Sequence, residues 1–246
     1  MKNIRIAFLL TLYMNESQSN IFIKQLLRYQ ESYIFIHIDK KSDFDKNKLI
    51  VNDRIKILPE QYVIDWGDYS QIDVTLRLME FAKKCGDYDY YSVHSGNDIV
   101  VKPINELVDW LSDDSSYAYL DCEKLPYVKF QYGGGLGRIA LKWPKFFRKK
   151  CRYYSITRLF RSLYGKAYGV GIIKGKKLPE NISFYGQSDW FTLSNECVGN
   201  ILQYIDENKE YLELFKDSLI GSEIFFNTLA IETGRSKKIC LNNNLR

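Results

Sequence analysis

Carboxylates stand at a few positions where local context favours chemistry. Asp39 follows the apolar run Tyr33-Ile34-Phe35-Ile36-His37-Ile38 and opens the polar stretch Asp39-Lys40-Lys41-Ser42. Asp98 ends Ser95-Gly96-Asn97-Asp98, shortly after the apolar Tyr90 to Val93. Glu223 begins a run in which Ile224, Phe225, Phe226 and Leu229 keep helical spacing. Apolar neighbours raise a carboxyl pKa toward the range useful for taking a proton, so Glu223 suits a general base. The competing reading is an acid that only favours a helix N-terminus. For Asp39 and Asp98 the competing reading is a turn-capping aspartate. An Asp-x-Asp pair does occur, at Asp87-Tyr88-Asp89, but it precedes its strand; the stretch after the strand offers one carboxylate, Asp98.

These groups need elements to hold them. Ile4 to Leu12, Tyr33 to Ile38, Ile55 to Leu58, Tyr90 to Val93 and Tyr117 to Leu120 read as short buried strands. Apolar residues at helical spacing mark helices after Asn15-Ser19, over Ser70 to Lys84, and over Ile104 to Leu111. Alternating β and α over the first ~125 residues predicts an open, mostly parallel sheet flanked by helices. Such sheets bind ligands at the carboxyl ends of their strands, and Asp39 and Asp98 both lie just past strand ends. From Phe130 the pattern changes. Gly133-Gly134-Gly135 reads as a flexible loop, and Lys142 to Lys166 is rich in Lys, Arg, Tyr and Phe. Helical spacing returns at Val198 to Tyr204 and Glu223 to Ile231. The reading is one continuous domain over 1–246, with halves at 1–125 and 126–246.

Composition narrows the function classes. A net charge of +5 suits an anionic small ligand but falls short of a nucleic-acid-binding pattern. Two histidines speak against a His-rich metal centre. Five scattered cysteines without a C-x-x-C pair point to a reduced compartment, not a disulfide framework. The apolar run near Met1 is short and broken by Thr11, Asn15 and Glu16, so it reads as a first strand and the protein as cytoplasmic. The 19 Tyr, 14 Phe and 4 Trp are mostly core or strand residues, with some free to cover a sugar face.

Five segments in order resemble the core-2/I-branching β-1,6-N-acetylglucosaminyltransferases, grouped with the peptide O-xylosyltransferases. They are Ile36 to Ser42, Trp66-Gly67 with Ser70, Asp89-Tyr90-Tyr91 with Ser95 to Asp98, Gly186 to Leu193, and Ser222 to Thr228. The resemblance, to a bacterial-type member, implies a GT-A-like nucleotide-sugar-binding fold. It also implies an inverting, metal-independent transfer from a UDP-sugar to a glycan or lipid-linked oligosaccharide. It assigns Glu223 as catalytic base, and places Asp39, Lys41, Trp66 and Asp98 on the donor side. Tyr185, Trp190 and Phe191 would build the acceptor wall. No cofactor or metal is expected beyond the donor itself.

Two departures go with the resemblance. The family usually continues past Asn242-Asn243-Asn244-Leu245-Arg246 into a basic segment that holds the diphosphate, which is expected to be missing here, and Ser222 stands where the family often has Asp. Arg235, Lys237 and Lys238 are therefore the expected replacement cations; the alternative is a weakened or truncated member that binds nucleotide or glycan without turnover. Lys142 to Lys166 is expected either to touch a membrane face peripherally or to form a solvated helix with an aromatic inner stripe.

Overall fold

The computed structural model describes residues 3–245. In chain order the first half runs β1 (Ile6–Leu12), α1 (Glu16–Leu26), β2 (Ser32–Ile38), β3 (Ile55–Ile57), α2 (Ser70–Cys85), β4 (Tyr90–Ser95), α3 (Ile104–Asp114) and β5 (Ala118–Lys124). The second half runs α4 (Gln131–Gly134), α5 (Gly137–Ala140), α6 (Ile156–Gly169), β6 (Tyr185–Ser194), α7 (Asn195–Glu207), α8 (Lys209–Phe215), α9 (Ser222–Thr233) and β7 (Ile239–Leu241). Local chemistry explains the starts. Asn15, in the left-handed region at φ 58°, caps α1 by accepting from the Gln18 N–H at 3.1 Å. Ser155 and Ser194 cap α6 and α7 in the same way.

The seven strands form one sheet in the order β3-β2-β1-β4-β6-β5-β7. The sheet is mostly parallel, as expected, with one exception. Strand β6, from the second half, inserts antiparallel between β4 and β5. The two halves therefore share a sheet. One face packs under α2, α7 and α9, with Phe35, Tyr91, Phe191, Phe225 and Phe226 in its core. The other packs under α1 and α3, around Phe8, Phe22, Ile36 and Tyr119.

Gly133-Gly134-Gly135, expected as a flexible loop, forms a tight, packed turn. All three take positive φ (66°, 66° and 94°), and a Cβ on Gly134 would lie 2.6 Å from Pro126 Cβ. The glycines let the chain turn tightly against Pro126 and Tyr168 and deliver α5 to the sheet edge.

Candidate functional site

The first part of the site forms where β2 ends. Asp39 is buried, and its Oδ1 accepts from the Lys41 and Ile64 N–H groups, each at 3.2 Å. Lys41 Nζ donates to Asp65 Oδ1 at 2.8 Å and lies 4.0 Å from Asp39 Oδ2. Burial raises the Asp65 carboxyl pKa, and the hydrogen bond and charge of Lys41, with the charges of Lys149 and Lys145, more than offset it. Beneath this part, His37 Nε2 accepts from the Tyr62 N–H at 3.0 Å, and burial pulls its pKa down to about 4. His37 is thus a neutral strut for the loop that reaches Ile64.

Beyond β4, Ser95 to Asp98 turns back over α1. A Cβ on Gly96 would sit 2.3 Å from Leu12 Cδ2 and 2.8 Å from Ser19 Oγ, so only glycine lets this loop lie so close. Asp98 accepts from Ser95 Oγ at 3.0 Å and lies 3.2 Å from His94 Nδ1. His94 Nε2 in turn meets Ser92 Oγ at 2.8 Å, and Ser92 Oγ meets Thr192 Oγ1 at 2.8 Å. Asp98 therefore ends a buried polar chain crossing from β4 to β6. Beside it a largely apolar cavity of about 380 Å³ is lined by Phe22, His94, Ile99, Trp110 and Leu245.

The third part is the start of α9, a helix apolar on nearly every side and accordingly buried. Its approach is strained: Ile220 takes φ 54°, a conformation rare for a β-branched residue, with its N–H held by Gly67 O at 2.9 Å. The helix start presses on β6 at Gly186, where a Cβ would lie 2.9 Å from Glu223 O. Asn227 Nδ2 ties the two elements by donating to Ser188 O and Glu223 O, each at 2.8 Å. The Glu223 carboxylate is paired with the Arg138 guanidinium, which α5 supplies. Burial raises the Glu223 pKa, while Arg138 opposes the rise by charge and hydrogen bond.

Arg138 escapes a reading of the sequence. It lies in a glycine-rich stretch with no periodicity, and nothing local marks it as the partner of a residue 85 positions away. The segment from Ile64 to Gln71 touches both Asp39 and the start of α9. Asp65 N–H donates to Ser70 Oγ at 3.0 Å, and Gln71 Oε1, one residue on, accepts from Ser222 Oγ at 3.2 Å. Trp66, 42% exposed and with the Arg161 guanidinium 5.5 Å from its ring, lies in that segment. Asp39, Lys41, Trp66 and Glu223 thus belong to one connected edge. Asp98 shares the edge but lies toward α1.

Other expected site residues are placed elsewhere. Helix α9 has 12 residues, about 18 Å of axis at ~1.5 Å per residue, and so carries the chain from one sheet edge to the other. Arg235, Lys237 and Lys238 emerge at the far end, where they pair with Glu232, Glu196 and Asp114. Lys237 and Lys238 line a cavity of about 590 Å³ there, with Arg5, Asp87 and Asp89. They cannot meet a ligand held at Asp39 and Glu223. Phe191 is also not a wall residue: it is 1% exposed, with its ring 5.0 Å from that of Phe226. Its neighbour Trp190 is half-buried. Tyr185 is half-buried against the core, and its backbone N–H donates to Thr228 Oγ1 at 3.0 Å. Among the described residues no cluster of three or more His, Cys, Asp or Glu has metal-binding geometry, and no helix is long and apolar enough to cross a membrane.

Against this geometry, the model of the family described as Core-2/I-Branching enzyme matches residues 6–246. The xylosyltransferase oxt of Drosophila melanogaster is 27% identical over 255 residues, covering 99% of this chain and 26% of the relative. Xylosyltransferase 1 of Homo sapiens is 24% identical over 250 residues, covering 99% and 24%. The chain thus spans about a quarter of the length of these curated relatives. A solved CMP:2-keto-3-deoxy-manno-octonic acid synthetase aligns over 96% of this chain and 88% of its own, at 13% identity and a TM-score of 0.38, too loose a likeness to bear on function.

Proposed function

Because the chain belongs to the Core-2/I-branching enzyme family and is a glycosyltransferase by that membership, we propose that it moves a sugar from a UDP-sugar to a glycan hydroxyl by a single inverting displacement, with Glu223 as base. The observation that carries this reading is the Glu223–Arg138 pair, a half-buried carboxylate at the carboxyl edge of the sheet held beside a cation. Burial makes Glu223 a better proton acceptor than an exposed carboxylate, while Arg138 limits its pKa rise and fixes its direction. As the acceptor oxygen attacks the anomeric carbon, its proton passes to Glu223 and the bond to the UDP oxygen breaks. The charge left on UDP needs positive partners. With Arg235, Lys237 and Lys238 at the far end, Lys41, which lies beside Asp39 and Asp65, takes that role.

Asp39 and Trp66 border the space for the nucleoside, and Trp190 with Tyr185 borders the acceptor. N-acetylglucosamine and xylose are the donor sugars this family reading favours, with a glycan or lipid-linked oligosaccharide as acceptor. The five free cysteines suit a reducing, cytoplasmic setting. No metal is required, since the carboxylate after β4 is single and already engaged with His94 and Ser95.

A panel of UDP-sugars with glycan acceptors, read by UDP release with and without excess EDTA, tests the proposal. The expected result is acceptor-dependent release from one donor that survives chelation. Loss of release with EDTA, restored by Mn²⁺, contradicts the metal-free mechanism. UDP binding without release from any donor points to a member that binds without turnover.

A further inference from the structure

Helix α6 reverses the usual arrangement of an amphipathic surface helix. Ile156, Leu159, Phe160 and Leu163 recur at helical spacing and are 73%, 58%, 56% and 51% exposed. Its buried positions are Arg161 and Gly165. The orientation is fixed by packing. A Cβ on Gly165 would lie 2.1 Å from Tyr132 Cδ1, so only this face can approach the body of the protein. Arg161 turns inward to donate to Phe147 O at 3.0 Å and Lys149 O at 3.4 Å. The apolar stripe is therefore left facing outward, and Phe146, 59% exposed, extends it along an open groove.

Charge surrounds this stripe on one side of the balance only. From Lys142 to Lys174 there are ten Lys or Arg and no Asp or Glu, within a chain whose net charge is +5, so the remainder carries −5. Lys149, Lys150, Arg152, Arg158 and Lys166 are exposed beside the stripe, together with Tyr153 and Tyr154 at 68% and 94%. We infer that this face docks on a bilayer surface containing anionic lipid. The apolar side chains enter the boundary between headgroups and acyl chains, and the basic side chains meet lipid phosphates. Both features are needed for that partner. A second copy of the chain would set two like-charged surfaces against each other, and a nucleic acid would leave the stripe in water.

The test needs neither donor nor acceptor. The full chain is floated with phosphatidylcholine vesicles and with vesicles containing roughly 30% phosphatidylglycerol. Binding to the anionic vesicles is expected to be at least ~10-fold tighter and to weaken with salt. Two variants separate the contributions, Leu159→Ser with Phe160→Ser and Leu163→Ser, and Lys150→Glu with Arg152→Glu and Arg158→Glu. Each is expected to lose at least ~10-fold in vesicle binding with the melting temperature kept, because the altered side chains are exposed. Absence of binding to anionic vesicles overturns the inference, as does binding that the serine variant leaves unchanged. Self-association abolished by the serine variant, without vesicle binding, assigns the face to a second copy instead.

Discussion

Removing Arg138 gives the sharpest view of how the candidate base is tuned. The Glu223 side chain is 24% exposed and that of Arg138 17%, so water screens the pair only in part. Burial raises the Glu223 pKa and Arg138 holds it back by charge and by a hydrogen bond. A hydrogen bond to a charged group contributes about 1.5–3 kcal/mol, and one pKa unit is about 1.4 kcal/mol. Arg138→Met should therefore raise the Glu223 midpoint by about 1–2 units. A base works only when deprotonated, so the acid limb of the kcat/KM profile should move to higher pH by the same amount. Arg138→Lys, which keeps charge and loses the planar fork, should shift it less. The direct assay follows the glutamate side-chain carboxyl carbons by NMR against pH, with the Glu223→Gln spectrum identifying the resonance. A midpoint in Arg138→Met that stays in place or falls would refute the claim that Arg138 restrains this carboxylate.

Two further outcomes follow from the buried groups. His37 is held near 4 against an ordinary 6.5, so between those values the unfolded chain binds a proton that the folded chain refuses. Stability should fall as pH drops through that window, by about 1.4 kcal/mol per unit and about 3 kcal/mol in all. His37→Gln, whose amide oxygen still accepts from the Tyr62 N–H, should flatten that slope in urea titrations; equal slopes in the two proteins count against it. Phe191→Ala should cost about 3–5 kcal/mol of stability as a core truncation, and Trp190→Ala clearly less. Equal urea midpoints for parent and Phe191→Ala would return Phe191 to the surface.

The parts of the fold written in local pattern were legible. The apolar runs of β1, β2 and β4 and the spacing in α2 all depend on neighbours in the chain. Strand β6 depends on distant ones. Its start, Tyr185-Gly186-Gln187-Ser188-Asp189, is polar and lacks a strand pattern, and it becomes a strand by pairing with the end of β5. Phe191, which the family resemblance places in the wall, points instead into the core that β6 shares with α9. The positions of Asp39 at a strand end and of Glu223 at the start of an apolar helix were legible, because each depends on its chain neighbours. Arg138 was not, since its meaning comes from α9. Lys237 and Lys238 looked close to Glu223 in sequence, but a rigid helix separates them from it in space.

The central claim, that Glu223 takes the acceptor proton, is tested most directly by Glu223→Gln. UDP affinity by calorimetry and UDP release with the preferred donor and acceptor should be measured on the same preparations. The account predicts unchanged UDP affinity and folding with turnover at least ~10²-fold lower. Turnover near that of the parent would contradict it.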